Sequence, residues 1–322
     1  MNAPRRLGLY GAGLAALFAA TFALAGAVVP DDTAAAWSSA RSAGAGEAGT
    51  DAGHGGMVDG GVVDDGMVDG GEAAAPAGHG SGHDAAAVRG LGLEQDGLLL
   101  SPVSAPAEVG EDGTLSFAVT ADGEPVTAFA TEHDKKLHLI VVRSDGTGFR
   151  HVHPTMADDG VWSLPWTWAE AGTYRVYADF VPEATGENVT LSRTVDVAGA
   201  VEPRPAEEAT ASDTVDGFTV TLDGDLTSSG ESVLTVRVTR DGEPVTDLEP
   251  YLGAYGHLVA LRAGDLAYLH VHPEGDEPEA GAVSGPEVAF VTRAPTPGRY
   301  LLYLDFKVGG QVRTAHLVVD AH

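Results

Sequence analysis

The chain has no cysteine and few basic side chains among its 322 residues. Without cysteine there can be no disulfide bond, no thiolate nucleophile and no cysteine-ligated zinc, so any bound metal must be held by His, Asp, Glu or Met. Only 18 Lys and Arg residues accompany 47 Asp and Glu residues, which gives a formal net charge of −29. Because such a charge repels phosphate, we expect no nucleic-acid partner.

The first 30 residues have the composition of an export segment. Arg5 and Arg6 precede an uncharged, apolar stretch from Leu7 to Val29, a pattern typical of a signal peptide. The stretch is also long enough to span a bilayer. We therefore predict that residues 1–30 are either a cleaved signal peptide or a membrane anchor. Both alternatives predict an extracytoplasmic protein, secreted or anchored at the cell surface.

Residues 31–88 contain few bulky apolar side chains and much Gly, Ala and Asp. Such a composition cannot bury enough surface to fold alone and predicts a disordered linker. The motif GMVDGG occurs twice in it, and three histidines lie nearby: His54, His79 and His83. This linker could gather copper or similar ions through His, Met and Asp, or it could serve only as a spacer.

The rest of the chain is an internal duplication. Leu115–Pro154 aligns without gaps on Leu234–Pro273 at an offset of 119, with 16 of 40 positions identical. Each copy contains about seven short strands separated by Gly, Pro, Asp or Glu. This spacing predicts an all-β fold of two tandem, antiparallel, immunoglobulin-like β-sandwiches. We place the domains at 89–198 and 214–322, with a linker at 199–213.

A histidine-bearing hairpin stands near the middle of each copy. The first reads HLIVVRSDGTGFRHVHP and begins at His138. Asp-Gly is a strong signal for a two-residue hairpin turn, and a turn at Asp145 and Gly146 places His138 opposite His153. Since side chains alternate between the faces of a strand, His151 shares the face of His153. Three imidazoles could then converge on one metal ion.

The second hairpin, HLVALRAGDLAYLHVHP, repeats the three histidines as His257, His270 and His272. A turn at Gly264 and Asp265 places His257 opposite His272. The sequence thus predicts one three-histidine metal site per domain.

Two aspartates are candidates for further ligands. Asp179 and Asp305 lie in the related strands GTYRVYADF and GRYLLYLDF. Each carboxylate could coordinate the ion, orient an imidazole through its second nitrogen, or accept hydrogen bonds from backbone amides.

Histidine ligation without cysteine suits a divalent ion, with copper favoured and zinc as the alternative. The other interpretation is a buried polar cluster in which neutral imidazoles bond one another without metal. No arrangement of nucleophile and base, phosphate-binding loop or paired carboxylates indicates catalysis, so we do not expect an enzyme.

The motifs HLIVVRSDGTGFRHVHP, DGEPVT and YLGAYGHLVALRAGDLAYLHVHP resemble a group of exported actinobacterial proteins described as hypothetical or heavy-metal-binding. The resemblance covers roughly residues 90 to 320 together with the N-terminal membrane segment. More loosely, the domains look like the β-sandwiches of periplasmic copper-resistance proteins. The resemblance implies a role in envelope metal handling. It contrasts with a second hypothesis, that of a structural or adhesive envelope protein whose immunoglobulin-like domains contact another envelope protein.

Overall fold

The computed structural model describes residues 88–322 apart from positions 207, 270 and 280. The predicted export segment at 1–30, all but the last residue of the predicted linker at 31–88, and His270 lie outside the described residues. The described part of the chain consists of strands, turns and loops, without a helix. It therefore offers no helix long and apolar enough to cross a membrane.

The first sandwich consists of a six-stranded and a four-stranded antiparallel sheet. The six-stranded sheet has the order β1-β2-β3-β8-β7, with β4 also paired to β3, and the four-stranded sheet has the order β10-β9-β5-β6. The strands are β1 (Glu94–Gln95), β2 (Leu98–Leu100), β3 (Gly113–Ala121), β4 (Glu124–Pro125), β5 (His138–Arg143), β6 (Arg150–Val152), β7 (Thr155–Met156), β8 (Val161–Trp166), β9 (Gly172–Phe180) and β10 (Val189–Val197).

The second sandwich repeats this plan. Its six-stranded sheet has the order β11-β12-β13-β18-β17, with β14 also paired to β13, and its four-stranded sheet has the order β16-β15-β19-β20. The strands are β11 (Ser212–Val215), β12 (Phe218–Asp223), β13 (Ser232–Arg240), β14 (Glu243–Pro244), β15 (His257–Arg262), β16 (Tyr268–Leu269), β17 (Val271–Pro273), β18 (Glu287–Thr292), β19 (Gly298–Val308) and β20 (Gln311–Ala321). The predicted tandem β-sandwich fold is confirmed.

The four-stranded sheets are buried on both faces because they pack against each other as well as against their own sandwich cores. In β5, Leu139 and Val141 belong to the core of the first sandwich, whereas Ile140 and Val142 belong to a third apolar cluster that also contains side chains of the second sandwich. This alternation is the period of two that a strand imposes. In β15, Leu258 and Ala260 belong to the second core. We call the third cluster the inter-sandwich core.

Reciprocal contacts connect the two sandwiches. The hydroxyl of Tyr177 donates to the carbonyl of Leu266, in the turn of the second hairpin. The equivalent Tyr303 donates to the carbonyl of Gly146, in the turn of the first hairpin, at 2.6 Å. The ring of Phe149 stacks on that of Tyr303 at 3.9 Å between ring centres. The interface is thus approximately symmetric, with each sandwich holding the other's hairpin turn.

Next to their turns both hairpins have the predicted register, although the turns are longer than predicted. Ile140 pairs with His151, and Ala260 pairs with Leu269. The first turn is stabilised by Asp145, which accepts from the Nε of Arg143 at 2.9 Å and from the amide of Thr147 at 3.1 Å. These carboxylate bonds fix a longer connection than the two-residue turn that Asp-Gly indicates.

Candidate metal centre

Three histidines of the first hairpin converge as predicted. Nδ1 of His138 lies 3.0 Å from Nε2 of His151 and 3.2 Å from Nε2 of His153. One ligand atom from each of the three side chains lies within 4.8 Å of the other two. Ligands bound at about 2.0–2.1 Å to a tetrahedral ion are on the order of 3.3 Å apart. The spacing around His138 is therefore close to that of a metal site.

Hydrogen bonds on the side of each ring that faces away from the cluster determine which ring nitrogens carry hydrogen. Nε2 of His138 donates to the carbonyl of Glu132 at 3.2 Å, which leaves Nδ1 of a neutral His138 with a lone pair. Nδ1 of His151 donates to Oδ2 of Asp305 at 2.8 Å, which leaves Nε2 of a neutral His151 with a lone pair. Because a neutral imidazole has one donor and one acceptor nitrogen, the two nitrogens that face each other at 3.0 Å are both acceptors.

Asp305 belongs to the second sandwich but orients a histidine of the first. The side chains of His151 and Asp305 are 1% and 4% exposed. The other oxygen of the carboxylate, Oδ1, accepts from the hydroxyl of Thr314 at 2.6 Å. A carboxylate bonded to the outer nitrogen of a metal-binding imidazole fixes the ring and raises its basicity. The sequence predicted this role as one of three, without indicating that the bond crosses between the sandwiches.

His257 of the second sandwich joins the same group of rings. Its ring centre lies 4.8 Å from that of His151 and 5.5 Å from that of His138, to which it is nearly parallel. Its Nδ1 is buried, and no hydrogen-bond partner for this atom is present in the described structure.

Burial keeps the imidazoles of His138, His153 and His257 neutral. It lowers the pKa of His138 to about 3, with a further contribution from the neighbouring His151. Burial, followed by the neighbouring His151 and His138, likewise lowers the pKa of His153 to about 3. For His257 the pKa lies well below its ordinary value, again chiefly because of burial. Neutral imidazole is the form that binds metal ions.

The second hairpin does not repeat the arrangement of the first. His272 lies in β17, opposite Val291 of β18, and is exposed. The predicted position of His272 opposite His257 is wrong, because the chain leaves the four-stranded sheet after β16 and joins the six-stranded sheet. His270 lies outside the described residues. The structure brings together His138, His151, His153, His257 and Asp305 of the predicted site residues.

Asp179 occupies the position in β9 that Asp305 occupies in β19, opposite the first histidine of its hairpin. Its Oδ1 accepts from Nδ2 of Asn188 at 3.1 Å and from the hydroxyl of Thr190 at 2.6 Å. Burial raises the pKa of Asp179. The carboxylate lines a small cavity of about 30 Å³ together with His138 and His257.

His133 is a residue of this region that the sequence did not indicate. Its ring centre lies 5.6 Å from that of His257 and 6.2 Å from that of His138. It sits in a tight turn with φ of 47° and lines the same small cavity. Its equivalent in the second copy is Leu252. Because the histidine is not repeated in the second copy, the duplication gave no indication that His133 belongs to the site. The sequence signal that could have indicated His133 is its position in the connection between β4 and β5, shortly before His138.

The solved structures that match this chain do so with low TM-scores. A Salmonella alpha-2-macroglobulin mutant is 17% identical, with 74% of this chain and 15% of that chain covered and a TM-score of 0.23. Invasin, a bacterial integrin-binding protein, is 14% identical, with 70% and 39% covered and a TM-score of 0.21. A conserved domain protein from Bacillus anthracis is 7% identical, with 70% and 88% covered and a TM-score of 0.23.

This chain thus spans only 15% of the alpha-2-macroglobulin and 39% of invasin. No curated protein matches the sequence. A family model described as a domain of unknown function, DUF8832, matches residues 94–199 and 213–322, one range in each sandwich. That description names no metal, so the resemblance to heavy-metal-binding proteins stays an expectation. The two ranges cover most of the chain, and the protein belongs to the DUF8832 family.

Proposed function

We propose that this protein is an extracytoplasmic metal-binding protein that holds a divalent transition metal ion through His138, His151 and His153. The observation that carries the proposal is the pair of acceptor nitrogens, Nδ1 of His138 and Nε2 of His151, held 3.0 Å apart. Two lone pairs at that distance repel each other unless a cation or a proton lies between them. A metal ion satisfies both nitrogens and the nearby Nε2 of His153 together.

The surroundings of the three rings support a metal ion over a proton. Burial disfavours the charged imidazolium form of His138 and His153, whose pKa values are both lowered to about 3. A divalent ion gains three direct nitrogen bonds in compensation for the same burial. The carboxylate of Asp305 adds a negative charge next to the site without occupying a ligand position.

Copper is the favoured ion and zinc the alternative. Imidazole nitrogen is a good ligand for both, and copper(II) binds such ligands more tightly than the other divalent ions of the first transition series. An export segment at 1–30 would place the site outside the cytoplasm, in keeping with a role in envelope metal handling.

The test is a titration of Cu(II) and Zn(II) into the purified protein in competition with a chelator of known affinity. His54, His79 and His83 are replaced by alanine in the parent so that only the described part of the chain is measured. We expect His153→Ala to weaken binding by about 100-fold or more, since loss of an outer-shell partner alone costs 10–100-fold. His322→Ala, an exposed histidine at the chain end, is the matched control. Parent affinity weaker than micromolar, or unchanged affinity in His153→Ala, overturns the proposal.

A second candidate function is that of a structural or adhesive envelope protein. Its supporting observation is that the inter-sandwich core joins the two sandwiches directly, through side chains such as Ile140 and Leu261, both 0% exposed. Tandem immunoglobulin-like sandwiches are a common scaffold for binding other proteins through their loops. In that case the histidines act only in packing, and the titration shows no ion binding while the domains still fold.

A further inference from the structure

We propose that His257 of the second sandwich is the fourth ligand of the site, so that a single ion is bound between the two sandwiches. This inference rests on the proposed function and deepens it. It replaces the expectation of one three-histidine site per domain with one four-histidine site per chain.

The spacing of the rings fits a common ion. Imidazoles bound to one tetrahedral ion at about 2.0–2.1 Å have ring centres on the order of 5 Å apart. His138 lies 5.3 Å from His151, 5.0 Å from His153 and 5.5 Å from His257, measured between ring centres. His151 lies 4.9 Å from His153 and 4.8 Å from His257. His257 therefore lies about as close to His138 and His151 as those two rings lie to each other.

The hydrogen-bonding state of His257 also indicates a missing partner. Within the described residues, its Nδ1 is buried and accepts or donates no hydrogen bond. Leaving a buried polar atom without a hydrogen-bond partner costs stability. The other histidines of the group have protein partners: His138 bonds Glu132, and His151 bonds Asp305. A ligand bond to an ion would remove this cost at Nδ1 of His257.

The second sandwich already takes part in the site through Asp305. Asp305 pairs with His257 across β19 and β15, so the two side chains come from adjacent strands at the same level of the sheet. One of them, Asp305, bonds the ring of His151 in the first sandwich at 2.8 Å. The contact between the sandwiches that places Asp305 on His151 also places His257 beside it.

The second sandwich cannot use His257 and His272 together as the sequence predicted. His272 is on β17, in the six-stranded sheet, whereas His257 begins β15 in the four-stranded sheet. The first hairpin keeps its histidines together because β6 remains paired with β5 through Val152. The two copies thus contribute unequally, with three histidines from the first and one from the second.

The experiment measures stoichiometry and nitrogen ligation in the parent that lacks the three linker histidines. Cu(II) is titrated by calorimetry, and the bound ion is examined by electron paramagnetic resonance, in which nitrogen hyperfine structure reports how many nitrogens bind it. We expect one ion per chain. His257→Ala should weaken its binding by about 100-fold and remove one nitrogen from the spectrum, while His272→Ala changes neither. His257→Gln keeps much of the side-chain volume and guards against a simple packing defect.

Each outcome bears on the inference. One ion per chain together with a loss of affinity and of one nitrogen in both His257 variants supports it. Two ions per chain, with one lost in His272→Ala or His270→Ala, overturns it, because each sandwich then has its own site. One ion whose affinity is unchanged in the His257 variants also overturns it, although the proposed three-histidine function stands. Absence of binding in the parent overturns the proposed function itself.

Discussion

Asp305 and Asp179 are equivalent aspartates with different partners, and they form a matched pair for mutation. Asp305 bonds the outer nitrogen of His151 at 2.8 Å, whereas the bonds described for Asp179 go to Asn188 and Thr190. We expect Asp305→Asn to weaken metal binding by about 10–100-fold, because the ring of His151 loses its charged partner. Asp179→Asn should leave the affinity within about threefold. Competition titrations measure both, and equal losses in the two variants would contradict the assignment.

The buried imidazole of His138 predicts how the metal-free protein responds to acid. Its pKa is lowered from 6.5 to about 3, chiefly by burial. Well above pH 6.5 neither state binds this proton, so His138 imposes no proton-linked cost on stability there. As the pH falls from 6.5 towards 3, only the unfolded chain becomes protonated, and stability is lost at up to about 1.4 kcal/mol per pH unit. His153 and His257 act in the same sense, whereas Asp179, with its raised pKa, acts in the opposite sense.

Urea denaturation in the presence of a chelator, repeated between pH 7.5 and pH 4.5, checks this expectation. His138→Gln removes one titrating group and should flatten the dependence of the free energy of unfolding on pH. A parent whose stability does not change over this range would show that the histidines are not buried as described.

The two hairpin turns differ in what surrounds them. Gly146 has φ of +86°, and a Cβ at this position would lie within contact distance of the Cδ1 atom of Leu301 in the second sandwich. Gly264, in the other turn, has φ of +100° and no atom within 4 Å of the added Cβ. We expect Gly146→Ala to cost about 2–4 kcal/mol and Gly264→Ala about 1–2 kcal/mol, since the first adds a clash to the unfavourable backbone conformation. Chemical denaturation compares the two, and equal costs would contradict the contact.

The sequence predicted the hairpins because their register depends on nearby residues. The pairing of Ile140 with His151 follows from turn chemistry and the strand period of two. The place where β16 ends and β17 begins could not be predicted in the same way. His272 lies in a different sheet from His257 because β17 pairs with β18. The loop between β17 and β18 also carries an insertion that the first copy lacks. Pairing with a distant strand, rather than local pattern, determines that switch.

The sequence contains a signal of the contact between the two sandwiches. The runs LIVV in β5 and LVAL in β15 do not alternate between apolar and polar side chains, and such continuity indicates a strand buried on both faces. The partner for the second face could not be named, because it is provided by the other copy. For this reason the sequence alone predicts two separate sites.

The inter-sandwich core predicts that the two sandwiches unfold together. Leu261 is 0% exposed at this contact, whereas Val233 is 52% exposed on the second sandwich. We expect the parent to show a single calorimetric transition. Leu261→Asp should separate it into two by placing an unpaired charge in the contact, and Val233→Asp should not. Two resolved transitions in the parent would show that the sandwiches are energetically independent.

The reciprocal bonds from Tyr177 to Leu266 and from Tyr303 to Gly146 are the pattern of an isologous dimer interface, in which each partner offers the other the same surface. Here the two halves are joined in one chain, so their association does not depend on protein concentration. Because the halves are fused, they need not be identical. The counterpart of His133 in the second copy is Leu252, and the second hairpin passes to the six-stranded sheet after β16. A relative with one sandwich and the same hairpin should therefore form a homodimer with its histidines gathered on the twofold axis.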